Sequence, residues 1–458
     1  MSTSDFTSGQ RRTVILLVVA VIAVFAMLAG FIVTSLQSWE SAPPVMTQPF
    51  VSWLPTSLPI PSSTPLPVPE DNIQSQVQAA RLFDQIAHQV ETLRGLSPRA
   101  EVPLSFLNER DMTRLLHQLY VDRDPEAQVL PYTALGILPE AFITIHAHQA
   151  ASVYVLEQEQ LYIATGQREK NANDQTLLAH AYANTLQDQH FDLEAMAARA
   201  TTTDATLAVQ ALVEGDATLL TALYRYEDLE GVDWIHLAEL ILQAGEPSYG
   251  EELDQSEAWT RLQRFPYWEG RQFAEAVFQT NGWEAINRAY TDPPRSTEQV
   301  LHPERYLEEQ DGPTSVVVPD IGTALGEDWT MRLEDTMGEF VTGLYLDAML
   351  PEKTAWEAAD GWDGDTLAVW ENPRGSQVLV WRTIWDSTAE AVEFERALVA
   401  LLPERYLPAW PLDPPQGLPG LWWESDSGAV CVSRVARYVL FVDTPDANTL
   451  ANIMEVLP

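Results

Sequence analysis

The residues with the clearest potential for chemistry lie in the run His180-Ala181-Tyr182-Ala183-Asn184, which the pattern places on a helix. Hydrolytic zinc sites commonly use the pattern H-E-x-x-H on a helix. Two histidines four residues apart hold the ion, and the glutamate takes the proton from the bound water. His180 stands at the first histidine position, whereas Ala181 replaces the glutamate and Asn184 replaces the second histidine. The pattern therefore predicts a zinc-site helix that lacks its base and one ligand.

The stretch from Leu178 to Leu193 and the later run Glu214 to Ala217 together resemble a bacterial family of gluzincin-like zinc metallopeptidases. That family carries a helix of the approximate form H-E-x-x-H-A-L-Q-D-Q-H-F-D-L. A later E-G-D-A helix offers its glutamate as the third zinc ligand. The resemblance implies that His180 and Glu214 match two ligands, and it implies a zincin-like domain. It covers about residues 75–458, where two more stretches are similar to the family: Pro294 to Gln299 with His302-Pro303, and Gly361 to Asp365.

The candidate cleft consists of His180, Asn184, Asp188 and Glu214. We expect none of them to be catalytic, because a zinc hydrolase needs three protein ligands, a water position and a base. His180 is expected to be a partly buried histidine bonded to Glu214, and no metal cofactor is expected. If zinc binds at all, His180 and Glu214 are its expected ligands. Asp188, two helical turns from His180, is the alternative ligand or base of a rebuilt active site.

Three other features have a structural and a functional interpretation. His190 is predicted to cap a helix end or to form a core hydrogen bond. The acidic run from Trp362 to Asp365 is predicted to form a tight turn before a strand, since it lacks the full ligand set of a calcium loop. Aromatic side chains could line a groove but are predicted to pack within a sheet: Trp381, Trp385, Trp422 and Trp423.

The charge balance narrows the class of partners. The chain has 458 residues, a formal net charge of −40 and two lysines, Lys170 and Lys353. We do not expect the chain to bind nucleic acid, because contacts to phosphates require a positive surface. One cysteine, Cys431, cannot form an intramolecular disulfide and is predicted to be a small core residue.

The N-terminal segment predicts a membrane anchor. Residues 13–36 carry no charge, and a helix of that length spans roughly 36 Å, enough for the ~30 Å hydrocarbon layer. Arg11 and Arg12 precede it, which predicts a cytoplasmic tail at 1–12 and an extracytoplasmic ectodomain. The alternative is a cleaved signal peptide, although its apolar region would usually be 7–15 residues long. Residues 37–70 are rich in proline and predict an extended stalk.

Hydrophobic periodicity predicts an α+β ectodomain in two parts. Residues 71–318 should be mostly helical, with a hairpin near residues 152–164 and helices at 173–187 and 203–224. The resemblance to the metallopeptidase family implies that this part is zincin-like. Residues 319–458 should form a module with an antiparallel sheet and helices on one face. A helix at 334–350 and the strands and helices that follow should have the order β-β-α-β-β-α, with a proline-rich loop at 408–419.

Three functional hypotheses follow. The first is a membrane-anchored pseudo-metallopeptidase that binds a peptide or a partner protein without hydrolysing it. The second is a divergent metallohydrolase that uses His180, Asp188 and Glu214. The third is a purely structural subunit of an assembly at the cell surface. Metal content separates the second hypothesis from the others, and a bound peptide or partner separates the first from the third.

Overall fold

The computed structural model describes residues 73–121, 125–138, 146–147, 152–165, 171–226, 229, 231–243, 247–248, 257–309 and 311–457. The predicted tail, membrane segment and stalk lie outside these residues. Within them the chain is an α+β protein. One described helix, Thr203–Tyr226, is long and apolar enough to cross a membrane. It is mostly buried within the fold, as is typical of a core helix.

The N-terminal part is built mainly from helices. Its helices, in chain order, are α1 (Ile73–Arg94), α2 (Glu109–Val121), α3 (Pro125–Ala134), α4 (Ala172–Phe191), α5 (Leu193–Ala197), α6 (Thr203–Tyr226), α7 (Trp234–Gln243), α8 (Glu257–Ala289) and α9 (Thr297–Leu301). A short π-helix follows at Arg305–Glu309. The predicted helices at 173–187 and 203–224 are confirmed as α4 and α6.

A small sheet accompanies these helices. The predicted hairpin is confirmed as β3 (Ser152–Val155) and β4 (Gln160–Thr165). Strand β1 (Leu104–Asn108) pairs in parallel with β4, an arrangement that local sequence pattern does not indicate. Two-residue strands β2 (His146–Ala147) and β5 (Pro247–Ser248) pair separately.

Helices α6 and α8 cross at two glycines. A Cβ atom on Gly215 would overlap the backbone carbonyl of Gly270, and a Cβ atom on Gly270 would overlap the backbone of Ala211. The two helices therefore approach as closely as their backbones allow. This contact explains the glycine in the run Glu214 to Ala217: it lets α8 lie against the turn of α6 that carries Glu214 and Asp216.

The C-terminal part contains a seven-stranded antiparallel sheet. Its strands have the order β6-β7-β8-β12-β11-β10-β9. They are β6 (Thr330–Asp335), β7 (Trp362–Glu371), β8 (Gln377–Trp385), β9 (Ala409–Leu412), β10 (Leu421–Ser425), β11 (Gly428–Val435) and β12 (Tyr438–Thr444). Its helices are α10 (Gly322–Leu325), α11 (Gly338–Asp347), α12 (Glu352–Ala359), α13 (Thr388–Arg405) and α14 (Ala447–Met454).

Helices cover this sheet on both faces, so the predicted covering of one face is wrong. On one face Trp381 and Phe441 pack with Phe394 of α13 in the large core of the protein. On the other face Val380 and Val442 pack with α14 in a separate cluster. The central strands consequently bury both sets of side chains, and their sequences are nearly continuous apolar runs.

Two local predictions for this part also differ from the structure, and one helix was not predicted. The predicted helix at 334–350 is strand β6 followed by the shorter helix α11, because Asp335, Thr336 and Gly338 interrupt its apolar pattern. The proline-rich loop at 408–419 contains the edge strand β9, where Pro411 is tolerated because one side of the strand has no neighbour. Helix α12, which the periodicity did not indicate, precedes β7.

A buried carboxylate joins the helical part to the sheet-containing part. Asp204 at the start of α6 accepts hydrogen bonds from the backbone N–H and the hydroxyl of Thr297, at 2.7 and 2.6 Å. Thr297 in turn accepts a bond from the backbone N–H of Phe340. Gly338 has a φ of 83°, and a side chain there would overlap the Asp204 carboxylate. Burial raises the pKa of Asp204 to about 8, partly offset by the bonds from Thr297.

The helix crossing generates a stability prediction. Replacing Gly270 by alanine should lower the free energy of unfolding by about 1–3 kcal/mol, because the new methyl group meets backbone atoms that cannot move independently. This cost exceeds the ~1 kcal/mol by which alanine ordinarily favours a helix over glycine. Denaturant unfolding followed by circular dichroism measures the change. The control is Gln279→Ala, exposed on the same helix, which should stay within about 0.5 kcal/mol. Equal stability of the two variants would contradict the crossing.

Candidate functional site

Helix α4 carries most of the residues that resemble a zinc site. It begins with a capping box, in which Asn171 and Asp174 each bond to the backbone N–H of the other. Its C-terminal residue is Phe191, after which Asp192 adopts a left-handed conformation. Helix α4 packs against α6, and this packing places His180 opposite Glu214.

Both ring nitrogens of His180 have partners from α6. Its Nε2 lies 3.0 Å from Glu214 Oε2, and its Nδ1 lies 3.3 Å from the hydroxyl of Thr221. His180 and Glu214 are 8% and 5% exposed. The contact between these two residues that the sequence predicts is therefore present, as a buried hydrogen bond between an imidazole and a carboxylate.

The positions around this pair do not complete a zinc site. Ala181 is buried and offers no proton acceptor in its side chain. The side-chain carbonyl oxygen of Asn184 is buried and has no hydrogen-bond partner among the described residues. An amide is a weak zinc ligand compared with an imidazole or a carboxylate. The pair of His180 and Glu214 thus supplies two of the three protein ligands that a catalytic zinc requires.

Asp188 is engaged elsewhere on α4. One of its carboxylate oxygens accepts a 2.5 Å hydrogen bond from Tyr154 of β3, and the other accepts from the backbone N–H of Leu193. Burial raises the pKa of Asp188, and the bond from Tyr154 opposes that shift. Within the described residues, His180, Asp188 and Glu214 do not form a group with closely spaced ligand atoms. The structure therefore does not assemble the alternative site that required Asp188.

Asp216, the residue after Gly215, accepts hydrogen bonds from several segments that pack around α6. Arg94 of α1 donates two hydrogen bonds to it, of 2.9 and 3.0 Å, and both side chains are almost fully buried. Gln187 of α4 and Tyr290 donate further bonds of 3.0 and 2.8 Å. The Arg94 guanidinium also lies 4.5 Å from the ring centre of Trp283. The acidic residue after Gly215 thus has a structural role that the sequence pattern did not assign.

A second polar centre was not predicted. His302 Nε2 lies 2.9 Å from Glu339 Oε1 and 3.7 Å from Asp360 Oδ1. One potential ligand atom from each of these three residues lies within 4.8 Å of the other two. His302 caps the C-terminus of α9, Glu339 is in the first turn of α11, and Asp360 caps the C-terminus of α12. Two of the three residues are distant in sequence from His302, so no spacing pattern could have indicated the centre.

Several carboxyl groups surround this centre. Burial raises the pKa of Glu298 to about 9, and Arg305, 3.3 Å away, opposes the shift. Burial likewise raises the pKa of Glu339, and the hydrogen bond with His302 opposes that shift. The same hydrogen bond raises the pKa of His302. Arg305 also pairs with Asp311 and Asp386.

The acidic run from Trp362 to Asp365 lies within strand β7, so the prediction of a tight turn is wrong. The Asp365 carboxylate accepts bonds from the backbone N–H groups of Met337 and Gly338, at the start of α11. It also accepts bonds from the indoles of Trp362 and Trp381. These four donors satisfy the carboxylate. Through these bonds the carboxylate holds the start of α11 against strand β7 and the indole of Trp381.

The remaining predicted residues have structural environments. His190 Nε2 bonds the backbone carbonyl of Ser97 at 2.7 Å, which ties the end of α4 to the segment after α1. Trp381, Trp385 and Trp422 are buried in the sheet, as predicted. Cys431 is also buried, and burial raises its pKa to about 12.

A cavity of about 460 Å³ lies at the C-terminal end of α8. Its lining combines apolar and charged side chains, among them Val277, Arg288, Asp292, Arg295 and Tyr306. Its volume falls within the range that is usual for ligand pockets. Arg295 and Gln299 both line this cavity.

Comparison with known proteins gives one match. The family model described as "Domain of unknown function (DUF8575)" matches residues 329–454. No curated protein and no solved structure matches the chain. The matched residues include the whole seven-stranded sheet and both Glu339 and Asp360. They do not include α4 and α6, which carry His180 and Glu214.

The Asp216 network generates a second prediction. Replacing Asp216 by asparagine should lower the free energy of unfolding by about 3–5 kcal/mol, because the variant leaves the Arg94 guanidinium buried without a counter-charge. Denaturant unfolding of the purified protein measures the loss. The control is Glu284→Gln, which breaks the exposed pair between Arg288 and Glu284 and should cost less than about 1 kcal/mol. A small effect of Asp216→Asn would show that the network contributes little to stability.

Proposed function

We propose that the chain is a membrane-anchored, extracytoplasmic pseudo-metallopeptidase, a module that binds a peptide or a partner protein without cleaving it. The observation that carries this proposal is the pairing of His180 with Glu214 in a site that has no base and no third ligand among the described residues. Helices α4 and α6 keep these two residues facing each other. Ala181 stands where a general base would be required, and Asn184 stands where a second histidine ligand would be required. The zincin-like origin of the helices rests on the resemblance in sequence.

The contacts of His180 support a structural role for it. Its hydrogen bonds to Glu214 and Thr221 tie α4 to α6 without an ion. The buried network of Asp216 lies two positions further along α6 than Glu214 and connects α4 to α1 as well. A site held by hydrogen bonds and an ion pair does not require metal for folding, in contrast to a structural zinc site.

The alternative of an active hydrolase is less well supported. Asp188 would have to release the hydroxyl of Tyr154 and the backbone N–H of Leu193 before it could act as a ligand or base. Two helical turns also separate it from His180, roughly 12 Å along the helix axis. The third hypothesis, a purely structural subunit, lacks a role for the cavity at the end of α8.

That cavity is the place that we assign to a bound ligand. It brings Arg288 and Arg295 together in a chain whose net charge is −40. Its mixed lining offers an apolar wall from Val277 and polar groups from Tyr306 and Asp292. A pocket of this kind is suited to an anionic or amide-rich segment of a peptide.

Restoring the missing groups tests the absence of hydrolysis. The full-length protein, purified in detergent, should not cleave an unfolded substrate such as reduced casein. The double variant Ala181→Glu with Asn184→His should gain one equivalent of zinc, because it completes the ligand set and the base. Zinc measured by mass spectrometry and proteolysis measured by peptide release give the two results.

His180→Ala is the matched control for this experiment. Introduced into the double variant, it should remove the gained zinc, whereas in the natural sequence it should leave the zinc content unchanged. Chelator-sensitive cleavage of casein by the natural sequence would overturn the proposal. No gain of zinc by the double variant would instead show that α4 and α6 no longer hold a zinc-site geometry.

The proposed location is tested separately. The uncharged residues 13–36 should retain the protein in the membrane fraction through carbonate extraction. Protease added outside the cytoplasm should remove the ectodomain, since Arg11 and Arg12 favour a cytoplasmic N-terminus. N-terminal sequencing that placed the mature N-terminus between residues 30 and 45 would show instead that a signal peptide is removed.

A further inference from the structure

We propose that His302, Glu339 and Asp360 form a binding site for a divalent transition-metal ion such as Zn²⁺. The site is separate from the pair of His180 and Glu214, and it goes beyond the proposed pseudo-peptidase function. It also differs from the expectation, based on the sequence, that the chain carries no metal. One imidazole and two carboxylates are a ligand set that zinc accepts.

The spacing of the three ligand atoms suits a single ion. Ligand atoms bound to one zinc at about 2.0–2.2 Å lie roughly 3.0–3.5 Å from one another. His302 Nε2 lies 2.9 Å from Glu339 Oε1 and 3.7 Å from Asp360 Oδ1, and the three ligand atoms lie within 4.8 Å of one another. Small rotations of the Asp360 side chain, which is 64% exposed, are enough to bring its oxygen to the ion.

A buried, unpartnered oxygen independently indicates a ligand. The side chain of Glu339 is 4% exposed, and one of its oxygens, Oε1, bonds to His302. The other oxygen, Oε2, receives no hydrogen bond from any part of the chain that the structure describes. A buried carboxylate oxygen without a donor is unfavourable, because it has lost its bonds to water and gained none in return. A bound cation would satisfy it.

The local charge also favours a cation. Glu298 stands one helical turn before His302 and interacts electrostatically with Glu339. Arg305 also interacts with Glu339, but it already pairs with Glu298, Asp311 and Asp386. The ligands themselves contribute two carboxylates, Glu339 and Asp360, and the charge of Arg305 is offset by Asp311 and Asp386. A divalent cation between the three ligands would therefore be attracted to the site.

The elements that carry the ligands are fixed by other interactions. Helix α11 begins where Asp365 binds the backbone N–H groups of Met337 and Gly338. The N-terminus of α9 is held by Asp204 through Thr297. Two of the three ligands are therefore positioned without the ion. The third, Asp360, lies at the surface, which leaves a side open for a water molecule or an exogenous ligand.

The pair of His180 and Glu214 provides an internal comparison. Its nitrogen–oxygen distance is 3.0 Å, nearly the same as in the pair of His302 and Glu339. No third histidine, cysteine or carboxylate ligand joins it within the described residues. If a buried histidine–glutamate pair alone bound zinc, both sites would do so. The proposal requires that only the site with Asp360 binds.

The experiment measures zinc binding by the full-length protein in detergent. The protein is stripped with EDTA, passed through a desalting column and titrated with Zn²⁺, with bound metal measured by mass spectrometry. The natural sequence should bind one equivalent. His302→Ala and Asp360→Asn should each weaken binding by at least about tenfold, whereas His180→Ala should bind as the natural sequence does. Asp360 is exposed, so its replacement should leave the fold intact, as circular dichroism will verify.

Each result has a defined meaning. Loss of zinc in both His302→Ala and Asp360→Asn, with binding retained in His180→Ala, supports the site. Unchanged binding in Asp360→Asn, or no binding by the natural sequence, overturns it. Binding that is lost in His180→Ala but retained in His302→Ala would overturn both this proposal and the proposed absence of zinc at His180.

Discussion

The buried carboxylate of Asp216 determines how the helical part of the molecule is arranged. Taking a carboxylate and a guanidinium out of water is costly, and their attraction offsets that cost only when the geometry is good and further hydrogen bonds reach the carboxylate. Arg94, Gln187 and Tyr290 supply those bonds from three different segments. Each segment must therefore return to one point on α6. The contact between Gly215 and Gly270 allows α8 to approach that same turn, and His180 then faces Glu214 as a consequence of this packing.

The run Glu214-Gly215-Asp216 thus contains one residue for each of three tasks. Glu214 faces the histidine of α4, Gly215 admits the neighbouring helix, and Asp216 closes the ion pair. Two of these tasks are structural and do not depend on zinc. The tasks of Gly215 and Asp216 are thus independent of the side chains that stand at positions 181 and 184.

Local pattern predicted much of the fold, because helices α4, α6 and α13 and strands β8, β11 and β12 each bury a continuous apolar face. It failed where tertiary contacts decide the outcome. The start of α11 is set by Asp365, which lies on strand β7 and accepts hydrogen bonds from the first N–H groups of that helix. Strand β9 pairs with β10 through backbone atoms, although it contains Pro411. For the site, the facing of His180 and Glu214 followed from the resemblance. The centre at His302, Glu339 and Asp360 did not, since three separate helix ends bring it together and none of them carries a pattern.

The large hydrophobic core runs without interruption from Phe83 of α1 to Phe441 of β12. The family match begins at residue 329, so its boundary passes through this core and does not coincide with a gap in packing. A lineage that acquired the sheet-containing segment by recombination would have acquired only part of the residues that form this core. Its descendants could diverge freely at the surface, but replacements in α11 and in the helices that contact it from before residue 329, α6, α8 and α9, would have to change together.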